Sequence, residues 1–244
     1  MQFIPVFLIF LALTLLNNTV SSQTHRDSLF VSKVSGNLTD YYSSSLSTNA
    51  LIYNGKMFQD YFPFEPGNHV FFLANEFTPG TVIYDGFLYK KVDLKYDLVA
   101  DQLIMQHPSF GMGIILNPKY VSSFTLSNHT FLRIPDNPAN IKNQGQYYDA
   151  LYQGQVSLVV KRIKKISEVV GQDRVKRTVS AQNKYYLYKD SVYTQVTNKK
   201  TLLKVLGNNL SKSQQFIRAN KLNFRKDKEN SMLSLVKFYD SISR

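Results

Sequence analysis

Neither cysteine nor tryptophan occurs in this 244-residue chain, and histidine occurs only four times. The missing cysteine excludes disulfides, a thiolate nucleophile and every zinc or iron–sulfur site built on thiolates. His25, His69, His107 and His129 are scattered, with no H-E-x-x-H pair among them. G-x-S-x-G is absent. "FGMG" (Phe110–Gly113) has neither the length nor the lysine of a phosphate loop. "DNPAN" (Asp136–Asn140) is too poor in carboxylates for a calcium loop. No cofactor, no metal and no catalytic set is expected.

Long apolar runs are also missing, except at the start. "FIPVFLIFLALTLL" (Phe3–Leu16) is uncharged, and Val20 and Ser22 suit the −3 and −1 positions of a cleavage site. Residues 1–22 are therefore expected to be a signal peptide, its apolar run too short to span a bilayer comfortably, with no transmembrane segment left after cleavage. Residues 23–49 are polar, serine-rich and expected to be flexible. Export without cysteine fits a bacterial periplasm or outer surface better than a eukaryotic secretory path.

Acidic residues run short in one half. Residues 1–154 hold nine Lys/Arg against eleven Asp/Glu, a net of −2; residues 155–244 hold twenty against six, a net of +14, and the two give the formal +12. This asymmetry is the strongest global signal in the chain.

What is present is mostly strand. In "GTVIYDGFLYKKVDLKYDL" (Gly80–Leu98), Asp85-Gly86 suits a type I′ turn that pairs Tyr84 with Phe87 and Val82 with Tyr89. Val92, Leu94, Tyr96 and Leu98 then alternate with Asp93, Lys95 and Asp97, which predicts one buried and one wet face. Asn54-Gly55 reads as a hairpin turn, and "HVFFL", "DQLIMQ", "GIIL", "SSFTL" and "TFLRI" read as short strands. "IPDNPANIKNQGQ" and "SEVVGQDRVKRTVSAQ" read as loops. "YYDALYQGQVSLVVKRI" and "KYYLYKDSVYTQV" read as hairpins, the latter turning at Lys189-Asp190. From Asn198 the period becomes helical, with Asn198 and Gly207 as caps, a capping box at Ser211 and Gln214, and a stripe of Met232, Leu235, Val236, Tyr239 and Ile242. The expected class is α+β: an antiparallel meander sheet over 50–197, curved or partly closed as a barrel, then two or three helices over 198–244 packed on it.

"GTVIYDGFLYKKVDLKYDLVADQLIM", "VSSFTL" and "TFLRI", followed by "GQVSLVVKRIKK" and the lysine-rich helices, resemble an uncharacterised secreted family of Bacteroidota. The resemblance covers about residues 50 to 243. It implies export and an envelope or extracellular location, and brings no substrate and no site residues.

Four groups of residues merit weighing. Asp97 and Asp101 are the carboxylate pair that a hydrolase would need, but they read more simply as solvated strand charges. His107 and His129 read as exposed loop residues. The aromatics, Tyr 16 and Phe 17 in number, read as cross-strand packing before sugar stacking. The basic runs hold the candidate contacts to an anionic partner: Lys161, Arg162, Lys164, Lys165, Arg174, Lys176, Arg177, Arg225, Lys226 and Lys228. Against them stands a solvated face that only aids solubility. The expected partner is an anionic envelope surface, a polysaccharide or an acidic protein, rather than nucleic acid. The function expected is a non-enzymatic interaction or scaffold protein. A lipid- or glycan-binding module in a curved sheet is the alternative, with an unrecognised hydrolase behind both.

Overall fold

The computed structural model describes residues 51–134, 147–172, 174–207 and 209–243, all within one compact unit, Thr48–Arg244. The expected leader, the polar entry segment and the loop after Ile134 lie outside the described residues. The strands are β1 (Lys56–Met57), β2 (Thr78–Tyr84), β3 (Phe87–Asp97), β4 (Gln102–Gln106), β5 (Gly113–Ile115), β6 (Val121–Leu126) and β7 (His129–Arg133). They continue as β8 (Tyr147–Tyr152), β9 (Ser157–Lys161), β10 (Lys164–Val170), β11 (Val175–Ala181), β12 (Lys184–Lys189) and β13 (Val192–Val196). Three helices close the chain: α1 (Lys199–Leu206), α2 (Leu210–Ala219) and α3 (Lys228–Ile242).

Eleven strands form one antiparallel sheet in the order β1-β5-β4-β3-β2-β6-β7-β8-β9-β12-β13. Among the described residues β1 and β13 are its edges and no ladder joins them, so the sheet is open there, and β10 and β11 pair only with each other. The protein is therefore α+β.

Turn chemistry sets the register. Asp85 (φ 51°) and Gly86 (φ 80°) both adopt left-handed backbone, and β2 and β3 pair Tyr84 with Phe87 and Val82 with Tyr89. Between β12 and β13 the same role falls to Asp190 (φ 50°) and Ser191 (φ 63°), one residue later than expected. Asn54-Gly55 makes no hairpin: it follows a short 3₁₀ turn, Leu51–Tyr53, and leads into β1, which pairs with the distant β5.

The sheet curls. Four strands separate β3 from β9, yet the Lys164 N–H donates to the Leu98 carbonyl at 3.1 Å, bringing the end of β3 against the start of β10. Inside the curl lie Leu94, Tyr96, Phe124, Phe131 and Tyr147, all buried. The rings of Phe124 and Phe131 stack at 4.7 Å, and Tyr96 meets Phe131 edge-on at 5.0 Å. Such pairs are each worth about 1 kcal/mol beyond their buried area. The packing role expected of these aromatics is what they perform.

Further along the sheet, Leu158, Val160, Tyr185 and Leu187 are covered by Leu202 and Leu206 of α1, Ile217 of α2, and Met232, Leu235, Val236 and Tyr239 of α3. Asn198 caps α1 through a capping box with Thr201. The box expected at Ser211 is not there: the cap lies two residues earlier, at Asn209, and Asn209 makes no side-chain cap bond. Asp240, 1% exposed, accepts from Tyr152 Oη at 2.8 Å and from the Val156 N–H at 3.3 Å, which fastens α3 to the β8–β9 hairpin. Gly154 at that hairpin's tip permits the approach, because a Cβ there would lie 2.5 Å from Asp240 Oδ2.

The predicted wet face of β3 holds at Asp93, which is exposed, and is corrected further along the strand. Asp97 is fully buried, accepting from the Val99 and Ala100 N–H groups at 2.8 and 3.0 Å and from Tyr61 Oη at 2.6 Å. Lys95 lies over the rings of Phe71 and Phe77 at 4.8 and 4.6 Å. The segment from Phe58 to Phe77 packs across this face, which a local period cannot reveal.

Candidate functional site: a basic hairpin anchored by buried charges

The basic run Lys161–Lys165 divides by burial. Lys161, 3% exposed, donates to Asp101 Oδ1 at 2.5 Å and to the Tyr147 carbonyl at 3.0 Å, beside Tyr96 Oη at 3.4 Å. Burial pulls its ammonium below the ordinary pKa, and Asp101 offsets only part of this. Tyr96 Oη donates to the same Asp101 carboxylate. The next side chain points the other way. Arg162, 7% exposed, donates from Nε and Nη2 to Asp149 Oδ2 at 2.9 and 2.6 Å, and from Nη1 and Nη2 to the two oxygens of Glu229 at 2.6 and 2.8 Å. His129 Nδ1 lies 2.7 Å from the same Asp149 oxygen, and Tyr185 Oη donates to Glu229 at 3.1 Å. Burial acts against the Arg162 charge and against that of Glu229. Their mutual hydrogen bonds and attraction, together with Asp149 beside the guanidinium and Tyr185 beside the carboxyl, outweigh it, so the guanidinium is held above and the carboxyl below its ordinary pKa. This cluster joins β8, β9 and the start of α3.

Beyond Arg162 the chain leaves the sheet as the β10–β11 hairpin. Its base is fixed at several points. Lys164 Nζ caps the carbonyls of His69 and Phe71 at 2.8 and 2.7 Å. Ile166 and Val179 pack on the aromatic layer around Phe58, Tyr61, Phe64 and Phe71. The Arg177 carbonyl accepts from the Glu65 N–H at 3.0 Å, and Asn68 Oδ1 accepts from the Val179 N–H at 2.8 Å.

Beyond the Glu168–Arg177 rung the cover thins to the Arg174–Glu65 contact. Seven rungs run from Lys164–Ala181 to Val170–Val175. Lys165, Ser167, Val169, Lys176, Thr178 and Ser180 alternate onto one face, and all are exposed. Arg174 is exposed, 3.5 Å from Glu65, and Arg177 pairs with Glu168 at 2.6 Å. The sequence reading of this segment as a loop is corrected: it is regular strand. β-branched Val169, Val170, Val175, Thr178 and Val179 around Gly171 were the signal.

The ten basic candidates thus separate. Lys161 and Arg162 are inside the fold with internal partners, and a surface contact does not reach them. Lys164 is half-buried under two carbonyls. Lys165, Arg174, Lys176 and Arg177 share the hairpin. Arg225 and Lys226 are exposed before α3, and Lys228 at its start lies over the Tyr185 ring at 4.8 Å.

Sequence reasoning missed Asp149, Glu229 and His129. A lone carboxylate within the apolar "YYDALY" strand was the available sign. His129 belongs to β7, against Asp149. His107 is 7% exposed, accepts from the Ser109 N–H at 3.1 Å and lies 4.6 Å from the Phe110 ring, so neither is a free loop residue. Asp97 and Asp101 are held by different partners, Tyr61 and Lys161. Among the described residues no group of three His, Asp or Glu is arranged to hold a metal, and no helix is long and apolar enough to cross a membrane.

Hollows open elsewhere. One of about 710 Å³ lies along α1 and α2, over Leu203 and Leu210 and rimmed by Lys199, Lys200 and Lys204. One of about 580 Å³ lies between β13 and α1. A third, about 280 Å³, sits within Asp60–Asn75. Comparison with known protein families, curated proteins and solved structures finds no match to this chain.

Proposed function

We propose that this is a non-enzymatic interaction protein of the cell envelope or exterior that presents the β10–β11 hairpin to an anionic partner. The observation that carries the reading is the exposure of Lys165, Arg174 and Lys176 on a hairpin that leaves the sheet and is held from its base as far as Arg177. The buried ion pairs of Lys161 and Arg162 and the capped Lys164 make that base stiff, so little order is lost when a partner binds. The leader at Phe3–Leu16 supports an exported setting. A ligand enclosed by the curled sheet has less support, since Tyr96, Phe124, Phe131 and Tyr147 occupy that space with their own rings.

The test is retention on a heparin column, used as a generic polyanion. The double charge reversal Lys165→Glu/Lys176→Glu is expected to lower the eluting salt concentration clearly, with unfolding unchanged. Equal elution of the two proteins refutes the reading.

A further inference from the structure

The hairpin's far end is apolar as well as basic. Val170 is 82% exposed, Val169 64% and Val175 39%. Turn-proximal positions facing water are ordinarily polar, and the β-branched residues here favour the strands yet leave their apolar surface uncovered. Val170 and Val175 form the last rung, and Val169 faces Lys176 on the rung below. Lys176 and Arg174 flank Val175 in sequence, and Lys165 shares the Val169 face. One rung further down, Glu168 and Arg177 neutralise each other. There the Arg177 guanidinium lies 5.1 Å from the ring of Phe62, itself 75% exposed. From Lys164 to Ala181 the sequence holds five basic and two acidic residues. A polysaccharide or an acidic protein surface answers the cations and leaves the valines in water. A bilayer interface takes both, apolar side chains at the acyl boundary and cations at the phosphates.

We infer that the partner is an anionic lipid bilayer, entered by Val169, Val170 and Val175 while Lys165, Arg174 and Lys176 hold the headgroups. This rests on the hairpin being the anion-facing element. The experiment is co-sedimentation of the full chain with vesicles of phosphatidylcholine, with and without phosphatidylglycerol, alongside heparin retention. Any contribution of the Phe3–Leu16 run is common to every variant, so ratios are read. Val169→Ser/Val170→Ser is expected to weaken binding to the anionic vesicles about tenfold and to leave heparin retention unchanged. Lys165→Glu/Lys176→Glu is expected to weaken both. If the serine variant binds anionic vesicles as the parent does, the lipid inference fails while the anionic-partner reading stands. If the glutamate variant changes neither vesicle nor heparin binding, both fail. If light scattering shows a dimer that the serine variant dissociates, with vesicle binding unaltered, a second copy covers the tip and the inference is overturned.

Discussion

Replacing Arg162 with methionine probes the joint between the sheet and α3. The side chain keeps an unbranched apolar stem and loses the guanidinium with its charge. Asp149, 1% exposed and already short of a partner for Oδ1 among the described residues, then has no guanidinium within the fold to balance it. Removing one member of a buried pair costs about 3–5 kcal/mol, because the other charge stays desolvated. For a unit of this size, each kcal/mol lowers Tm by about 2–4 °C, so the expected drop is about 6–20 °C. Glu229→Gln cuts the other half of the cluster. Its side chain is 29% exposed, water screens it, and the expected loss is only about 1 kcal/mol. The double change Asp149→Leu/Arg162→Met removes both charges and is expected to recover most of the loss. Urea unfolding followed by far-UV circular dichroism at one fixed pH reads all four proteins. If Arg162→Met loses no more than Glu229→Gln, or if the double change is no more stable than Arg162→Met alone, the cluster is not the joint described.

Two further outcomes are expected. Asp97→Ala leaves the Val99 and Ala100 N–H groups and Tyr61 Oη without their acceptor and is expected to cost about 3 kcal/mol by urea unfolding, whereas a solvated strand charge in its place gives a loss near zero. The urea midpoint is expected to fall in acid through Glu229: its folded pKa lies below the ordinary value, so its contribution is complete above about pH 5 and fades as pH drops through the folded value. In Glu229→Gln that part of the acid slope disappears, and an unchanged slope refutes the assignment.

The contrast between sequence and structure follows the range of the forces involved. Asp85-Gly86 defined its hairpin because positive φ at two successive residues is a local steric property. Asn198 and the stripe on α3 were legible for the same reason, since a cap bond spans three residues and a helical stripe repeats every turn. Net charge downstream of residue 154 needed only counting. The tertiary structure alone decided which of those charges face water. Lys161 and Arg162 look like any lysine-rich surface run until Asp101, Asp149 and Glu229 arrive from 60, 13 and 67 residues away. Asp97 reads as solvated until Tyr61, 36 residues upstream, is laid over it. β10 and β11 escaped notice because most of both their faces meets water, which removes the alternation that marks a strand. Burial is a property of what lies across the space from a residue, and sequence order carries no direct record of it.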